Sequence, residues 1–269
     1  MGAAFSGGAA LALDASTNYT NPAGLVRLKH SQFQFSSNHL WVQNWFSGDL
    51  KTTDTVALHQ VSNGNFGMIP GFHLALKLGK RWAAGLSGVL AFSENNSNSA
   101  PELKDSITNM NSNYFDLTPN MAYKMNSHWS VGGGLDIIFA GAKDNIYYLN
   151  SNNYAKINMH GINVGWNAGI LYDWQRLRLG VAYRSGVTSH LKGSVKTQGV
   201  LLPTIFANPN ENGLQQIPPV WRLSSIYQLN RKWDLMTTFY YTQWEQAETR
   251  FLTRGPKGSK SIYYNDANN

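Results

Sequence analysis

The chain of 269 residues has no cysteine, so it has neither a disulfide framework nor a thiolate metal site. It has no run of about 18 consecutive apolar residues, which excludes a transmembrane helix, and its mean hydropathy is only −0.32. Charged residues are sparse, at 14%. The formal net charge of +7 is scattered rather than gathered into a basic cluster, and there is no helix suited to a nucleic-acid groove, so nucleic acid is not an expected partner. The scattered positive charge fits outer-leaflet lipopolysaccharide, or a lumen that tolerates carboxylates. Residues 1–8 lack the basic start and apolar core of a signal peptide. No His/Asp/Glu group has metal-ligand spacing, so no metal and no cofactor is expected.

Repetition fills the place of these missing features. Four short turns, each next to an aromatic residue, join pairs of strands: Leu78–Trp82, Met125–Trp129, Tyr172–Arg176 and Leu229–Trp233. Long polar stretches separate them. Short turns at one end, long loops at the other and aromatics beside the short turns predict an antiparallel transmembrane β-barrel of the bacterial outer membrane. The strands alternate accordingly, because successive side chains of a strand face opposite sides. Ile162, Val164, Trp166, Ala168, Ile170, Tyr172 and Trp174 oppose Gly161, Asn163, Gly165, Asn167 and Gly169. Leu177, Leu179, Val181 and Tyr183 oppose Arg176, Arg178, Gly180, Ala182 and Arg184. A soluble β-sandwich strand alternates too. Three features favour the membrane: the small Gly, Ala and Ser residues of the inner face, Tyr and Trp at strand ends, and the strict alternation of short and long connections.

The pattern predicts about nine strands, at 25–36, 66–78, 81–93, 113–125, 128–142, 159–173, 176–192, 218–229 and 232–247, with long loops at 37–65, 94–112, 143–158, 193–217 and 248–269. Bacterial single-chain barrels have even counts, and an open edge in lipid leaves backbone groups unpaired. The chain is therefore expected to carry most of a barrel, with further strands beyond Asn269 and its export signal absent. Residues 1–24 do not read as a wall strand. They are small and polar and end in Asn21-Pro22-Ala23-Gly24. Composition alone leaves open a lumen plug or a flexible leader.

The block from Gly8 to Leu25, with Asp14-Ala15 and Asn21-Pro22-Ala23, resembles the hatch of the outer-membrane long-chain fatty-acid transporter family of the FadL type, which includes uptake channels for toluene and related aromatics. Gly165–Tyr172, Ala182–Ser185, Leu191–Gly193, Pro219–Trp221 and Tyr241–Trp244 continue the resemblance along the chain. It implies a monomeric barrel of about fourteen strands, with a hatch at 1–24 and a barrel from 25 to 269. It also implies passive uptake of a hydrophobic small molecule, a long-chain fatty acid above all, by loop capture, interior binding and lateral release. A neutral aromatic or aliphatic hydrocarbon is the alternative, and an adhesin-like structural barrel a second one. The resemblance makes Asp14, Asn21, Pro22, Ala23 and Gly24 the hatch motif and Ala91, Phe92 and Ser93 the place of the lateral opening, although the family's central Gly is missing there. Basic pocket positions of the family fall near Ile146 and Tyr264, neither of them basic.

Ligand-binding candidates are the apolar loop residues Leu201, Leu202, Ile205 and Phe206, and Arg184 and Lys192 on what reads as one lumen face. Each has a plainer reading: the loop residues as packing between loops, the two cations as lumen hydration. His190 shares that inferred face, while His73 and His128 sit at strand or turn positions. No Ser–His pair falls on neighbouring lipid faces, so no catalytic residue and no enzyme activity is expected. Asp14 reads as a structural hydrogen-bonding residue.

Overall fold

A computed structural model describes residues 6–51, 55–96, 110–150, 153–198, 208–246, 249–254 and 260–265. Thirteen antiparallel strands form one sheet: β1 (Gln32–Lys51), β2 (Thr55–Lys77), β3 (Trp82–Asn96), β4 (Met110–Lys124), β5 (Trp129–Asn150), β6 (Asn153–Trp174), β7 (Leu177–Arg184), β8 (Val187–Gln198), β9 (Asn208–Ile217), β10 (Val220–Gln228), β11 (Asp234–Thr242), β12 (Thr249–Arg254) and β13 (Lys260–Asn265). β1 to β6 pair in sequence. Beyond them the staves are interrupted. β7 and β8 both pair with β6 and are separated only by Ser185 and Gly186. β9 and β10 are separated only by Pro218 and Pro219. β7 pairs with β10, and β8 with β9, so the two breaks lie side by side. Joined across their breaks, with β11 and β12 likewise taken together, the strands make nine staves before β13. The first and last strands are not paired with each other among the described residues.

Large apolar side chains point outward. Ile162, Val164, Trp166 and Ile170 are exposed while Asn163, Gly165, Asn167 and Gly169 between them, and Leu171 after them, are buried. An outer face of this kind is costly in water and favourable in hydrocarbon. Trp82, Trp129, Trp174 and Trp233 are exposed at the short-turn end, where indole rings suit the lipid–water boundary. A second aromatic group, Trp166, Tyr183 and Trp221, runs across β6, β7 and β10, with tilted rings whose centroids are 5.0 and 4.5 Å apart. The short turns use local chemistry. Asn126 Oδ1 accepts from the amides of His128 and Trp129, and Asn230 Oδ1 accepts from Lys232 and Trp233 in the same way. Gly79 supplies the positive φ of 102° that the first turn needs.

Three expectations change. The first strand starts at Gln32, not 25, because Pro22–Arg27 forms a 3-10 helix whose Leu25 and Val26 are buried. The stretch 37–65, expected as a loop, is largely the β1–β2 hairpin. The expected loops 143–158, 193–217 and 248–269 are in large part strand: the ends of β5, β6 and β8, and the whole of β9, β12 and β13. Strands that stand clear of the hydrocarbon need no apolar outer face, so the alternation that betrays a wall strand is lost there.

Candidate functional site

Residues 6–28 lie against the inner face of the sheet and touch most of its staves. Asn18, fully buried, donates to Ser87 Oγ on β3 (2.8 Å) and to the Thr118 carbonyl on β4 (3.0 Å). Asn21, also fully buried, donates to the carbonyls of Ala9 (2.7 Å) and Ile170 on β6 (3.1 Å), and accepts from the Ala23 amide (3.1 Å). Ser130 on β5 donates to the Ala23 carbonyl, Lys77 on β2 to that of Val26, and Arg178 on β7 to that of Leu11. The Ala9 amide donates to Ser224 on β10. Arg27 pairs with Asp173 at 2.6 Å. Burial lowers the Arg27 pKa, and Asp173 opposes that shift. Apolar contact adds to these bonds: Ala15, Leu25, Val26 and Leu28 pack on Ala75, Ala83 and Ala122.

Wall glycines make this approach possible. A Cβ on Gly132 would lie 2.6 Å from the Ala23 nitrogen, one on Gly169 would strike Asn21 Oδ1, and one on Gly180 would strike the Ala9 carbonyl. Of the predicted motif, Asn21, Pro22, Ala23 and Gly24 are all buried. Pro22 sits at the start of the 3-10 helix, where a missing amide proton costs nothing. Asp14 accepts from the Ser16 amide and hydroxyl, an Asx turn.

Above this segment is a cavity of about 330 Å³. Its floor is a charge cluster on three staves. Arg184 on β7 lies 2.6 Å from both Asp116 on β4 and Asp136 on β5. The Arg184 guanidinium also sits 4.0 Å over the Tyr19 ring and donates to the Tyr19 carbonyl. Burial raises the Tyr19 pKa above its usual value, with Arg184 opposing. Arg222 on β10 donates to the carbonyls of Tyr19 and Thr20, and its buried Nε has no partner. Ala91, Tyr114, Ile138, Ile217, Pro218 and Val220 line the apolar part of the cavity. An inner cluster of Tyr114, Ile138, Ala140, Ile157, Met159, Val187, Leu191 and Val195 adjoins it.

The sequence candidates fall unevenly. Arg184 is at the cavity. Lys192 is not on its face. In β7 the even positions Gly180 and Ala182 are buried, but in β8 the buried positions are Val187, Ser189, Leu191 and Val195, and His190 and Lys192 are exposed. The pairing with β6 slips by one residue between β7 and β8, and a one-residue slip turns every later side chain to the opposite face. Ser185 stitches the break: its hydroxyl accepts from the Trp166 amide, and its amide donates to the Trp166 carbonyl. Ala91 lines the cavity at a bulge where the β3–β4 ladder slips between Leu90 and Phe92, and Ser93 donates to Asn113. Leu201, Leu202, Ile205 and Phe206 lie outside the described residues. Asp116, Asp136, Tyr19 and Arg222 were not singled out from the sequence. The available signal was charge at matching depth on the inner faces of separate staves.

A barrel wall with an apolar outer belt, tryptophans at its short-turn end, an inner amino-terminal segment and a partly open cavity with apolar walls and a charged floor defines an outer-membrane channel protein. Residues 1–268 match the model of the outer membrane protein transport protein family (OMPP1/FadL/TodX), and the chain belongs to that family. It is 24% identical to the long-chain fatty acid transport protein of Escherichia coli O6:H1, over 99% of this chain and 68% of that protein. It is 22% identical to outer membrane protein P1 of Haemophilus influenzae, over 91% of this chain and 64% of that protein. The chain thus spans about two thirds of the length of these relatives. Its fold is that of a Pseudomonas aeruginosa FadL homologue, with a TM-score of 0.81, 17% identity, and coverage of 97% of this chain and 71% of that one. The Pseudomonas putida toluene transporter TodX matches with a TM-score of 0.60 and 12% identity, covering 93% of this chain and 72% of that one.

Proposed function

We propose that the protein carries hydrophobic compounds passively across the outer membrane, with residues 6–28 as a hatch that closes the lumen below the cavity. The observation that carries this reading is the apolar inner cluster. A water-filled pore has a polar lumen, whereas here Ile157, Met159, Val187, Leu191 and Val195 are buried on the inside and lead to the cavity above the hatch. A greasy solute loses little on entering such a surface from water and gains roughly 25 cal/mol for each Å² of apolar area it buries.

The finer reading is a long-chain fatty acid. Arg222 lines the cavity with no carboxylate partner among the described residues, so it can receive a carboxylate while the tail lies on Ile138, Ile217 and Val220. A neutral hydrocarbon is the second reading, supported by Arg184, which is already neutralised by Asp116 and Asp136. The bulge at Ala91 supports lateral release at 91–93, since a slipped ladder leaves backbone unpaired and lipid tolerates that only beside a cavity. The test replaces Val187 and Leu191 together with Asn and measures uptake of oleate and of toluene by cells, beside heat-modifiable gel mobility. Loss of both uptakes in a folded barrel is expected. Unchanged uptake of both solutes would refute the reading, and Arg222→Gln separates the two substrates by reducing oleate uptake alone.

A further inference from the structure

The break at Ser185–Gly186 leaves a basic surface on the outside of the wall. Beyond it, β8 turns Val187, Leu191 and Val195 inward and presents His190, Lys192 and Lys196 outward. The neighbouring stave β6 shows the same change along its outer face. Ile162 and Val164 are exposed and apolar, and the next outward residue up the strand, His160, is polar and exposed. Lys143 is exposed on β5, two residues beyond Gly141, the register partner of His160. His160 is in turn directly opposite Lys192, and Lys196 is opposite Lys156. The residues 153–163 of β6 and 187–198 of β8 contain no Asp or Glu, while on β5 Asp144 follows Lys143.

Register and strand spacing fix the size of this patch. Adjacent strands lie about 4.8 Å apart and residues about 3.4 Å apart along a strand. Lys143, His160 and Lys192 therefore span about 10 Å across three staves. Lys196 stands about 14 Å further along β8 than Lys192. The whole group begins about 7 Å beyond Ile162, the last apolar residue of the outer belt on β6. A row of ammonium groups at that height faces the headgroups of the outer leaflet rather than its hydrocarbon or free solution.

We propose that the outer faces of β5, β6 and β8, through Lys143, His160, Lys192 and Lys196, form a binding site for the phosphorylated headgroup of an outer-leaflet glycolipid, the lipid A part of lipopolysaccharide. Its acyl chains lie on Phe139, Ile162 and Val164 directly below, and its phosphates are met by the lysines. Separate contacts for phosphate and acyl chain distinguish this site from one for a free anion: inorganic phosphate lacks the chains, and a neutral lipid lacks the charge.

The experiment uses the protein purified from outer membranes and stripped of lipid in detergent. Its heat-modifiable melting is followed as bisphosphorylated lipopolysaccharide, dephosphorylated lipopolysaccharide, phosphatidylethanolamine or inorganic phosphate is added. Stabilisation by the bisphosphorylated glycolipid alone is expected, with an apparent affinity that falls at least tenfold in K143Q/K192Q/K196Q and is retained in K143R/K192R/K196R. The milder K192Q/K196Q, expected to weaken binding severalfold, serves should the triple Gln variant fail to fold. Equal affinity in wild type and the folded Gln variants overturns the proposal. So does equal stabilisation by dephosphorylated glycolipid, which would leave only a greasy belt, or by inorganic phosphate, which would leave an adventitious ion only.

Discussion

Replacing Asn21 with Ala tests the seating of the amino-terminal segment most directly. The Asn21 side chain joins three partners: the Ala9 carbonyl, the Ile170 carbonyl of the wall and the Ala23 amide. It is completely buried. Truncation leaves those groups without their Asn21 contact and admits no solvent directly. Each buried polar group left unsatisfied costs about 1–3 kcal/mol, so three partners with partial relaxation give about 3 kcal/mol. At about 1.4 kcal/mol per factor of ten, local opening of the 3-10 turn becomes about 100-fold more populated. The segment is not released as a whole, because Asn18, Ser130 and Arg184 hold it to other staves.

Hydrogen exchange resolves this change. The Gly24 amide donates to the Asn21 carbonyl and the Leu28 amide to Leu25, so both report on the turn. In Asn21→Ala their exchange should speed up by about two orders of magnitude, while amides of β4 and β5 stay protected. Leu13→Ala is the control, because Leu13 is 72% exposed and its loss should leave the turn unchanged. Exchange at Gly24 and Leu28 within threefold of wild type would refute the idea that Asn21 joins the amino-terminal segment to the wall.

Two further outcomes follow from the charge cluster and from Tyr19. Arg184→Gln strands Asp116 and Asp136, whose side chains are 2% and 1% exposed, and should cost about 3–5 kcal/mol, read as a lower melting temperature; adding Asp116→Asn and Asp136→Asn should restore most of it, and no restoration would show that the cluster acts through Arg184 packing alone. Tyr19 has a raised pKa, so the folded state holds its phenolic proton more tightly than the unfolded chain; that contribution is complete below about pH 10 and is lost as pH rises through the folded value, so alkaline difference absorbance should show one late-ionising tyrosine that Tyr19→Phe removes.

The belt was legible in the sequence because lipid imposes a rule on every second residue. Ile162, Val164, Trp166 and Ile170 announce it, and the turns Leu78–Trp82 and Met125–Trp129 set its lower edge. What projects above the hydrocarbon obeys no such rule. In β8 the apolar residues Val187, Leu191 and Val195 face inward and the lysines outward, the reverse of β7. Read as one uninterrupted strand, 176–192 puts Arg184 and Lys192 on the same face. The single slip at Ser185–Gly186, beside Pro218 and Pro219, separates them. Proline lacks the amide that would continue the ladder, and Ser185 replaces a backbone partner with its hydroxyl. These residues were visible in the sequence, but only their adjacency across two staves gives them meaning.

The interior site was hidden for a related reason. Tyr19, Asp116, Asp136, Arg184 and Arg222 come from the amino-terminal segment and four staves, and each alone is an ordinary polar residue facing the inside. Their shared depth follows from register, Asn167 opposite Arg184 and Val220 opposite Arg184, and from where the amino-terminal segment lies against the inner face. Register in turn depends on the bulges. The slip in the wall therefore parts two cations: Arg184, in the unbroken β6–β7 ladder, stays at the cavity floor against Asp116 and Asp136, and Lys192, beyond the slip, is turned out toward the outer leaflet. Deleting Gly186 would shift the face of every later β8 residue, so the apolar inner cluster and the outward lysines should be lost together.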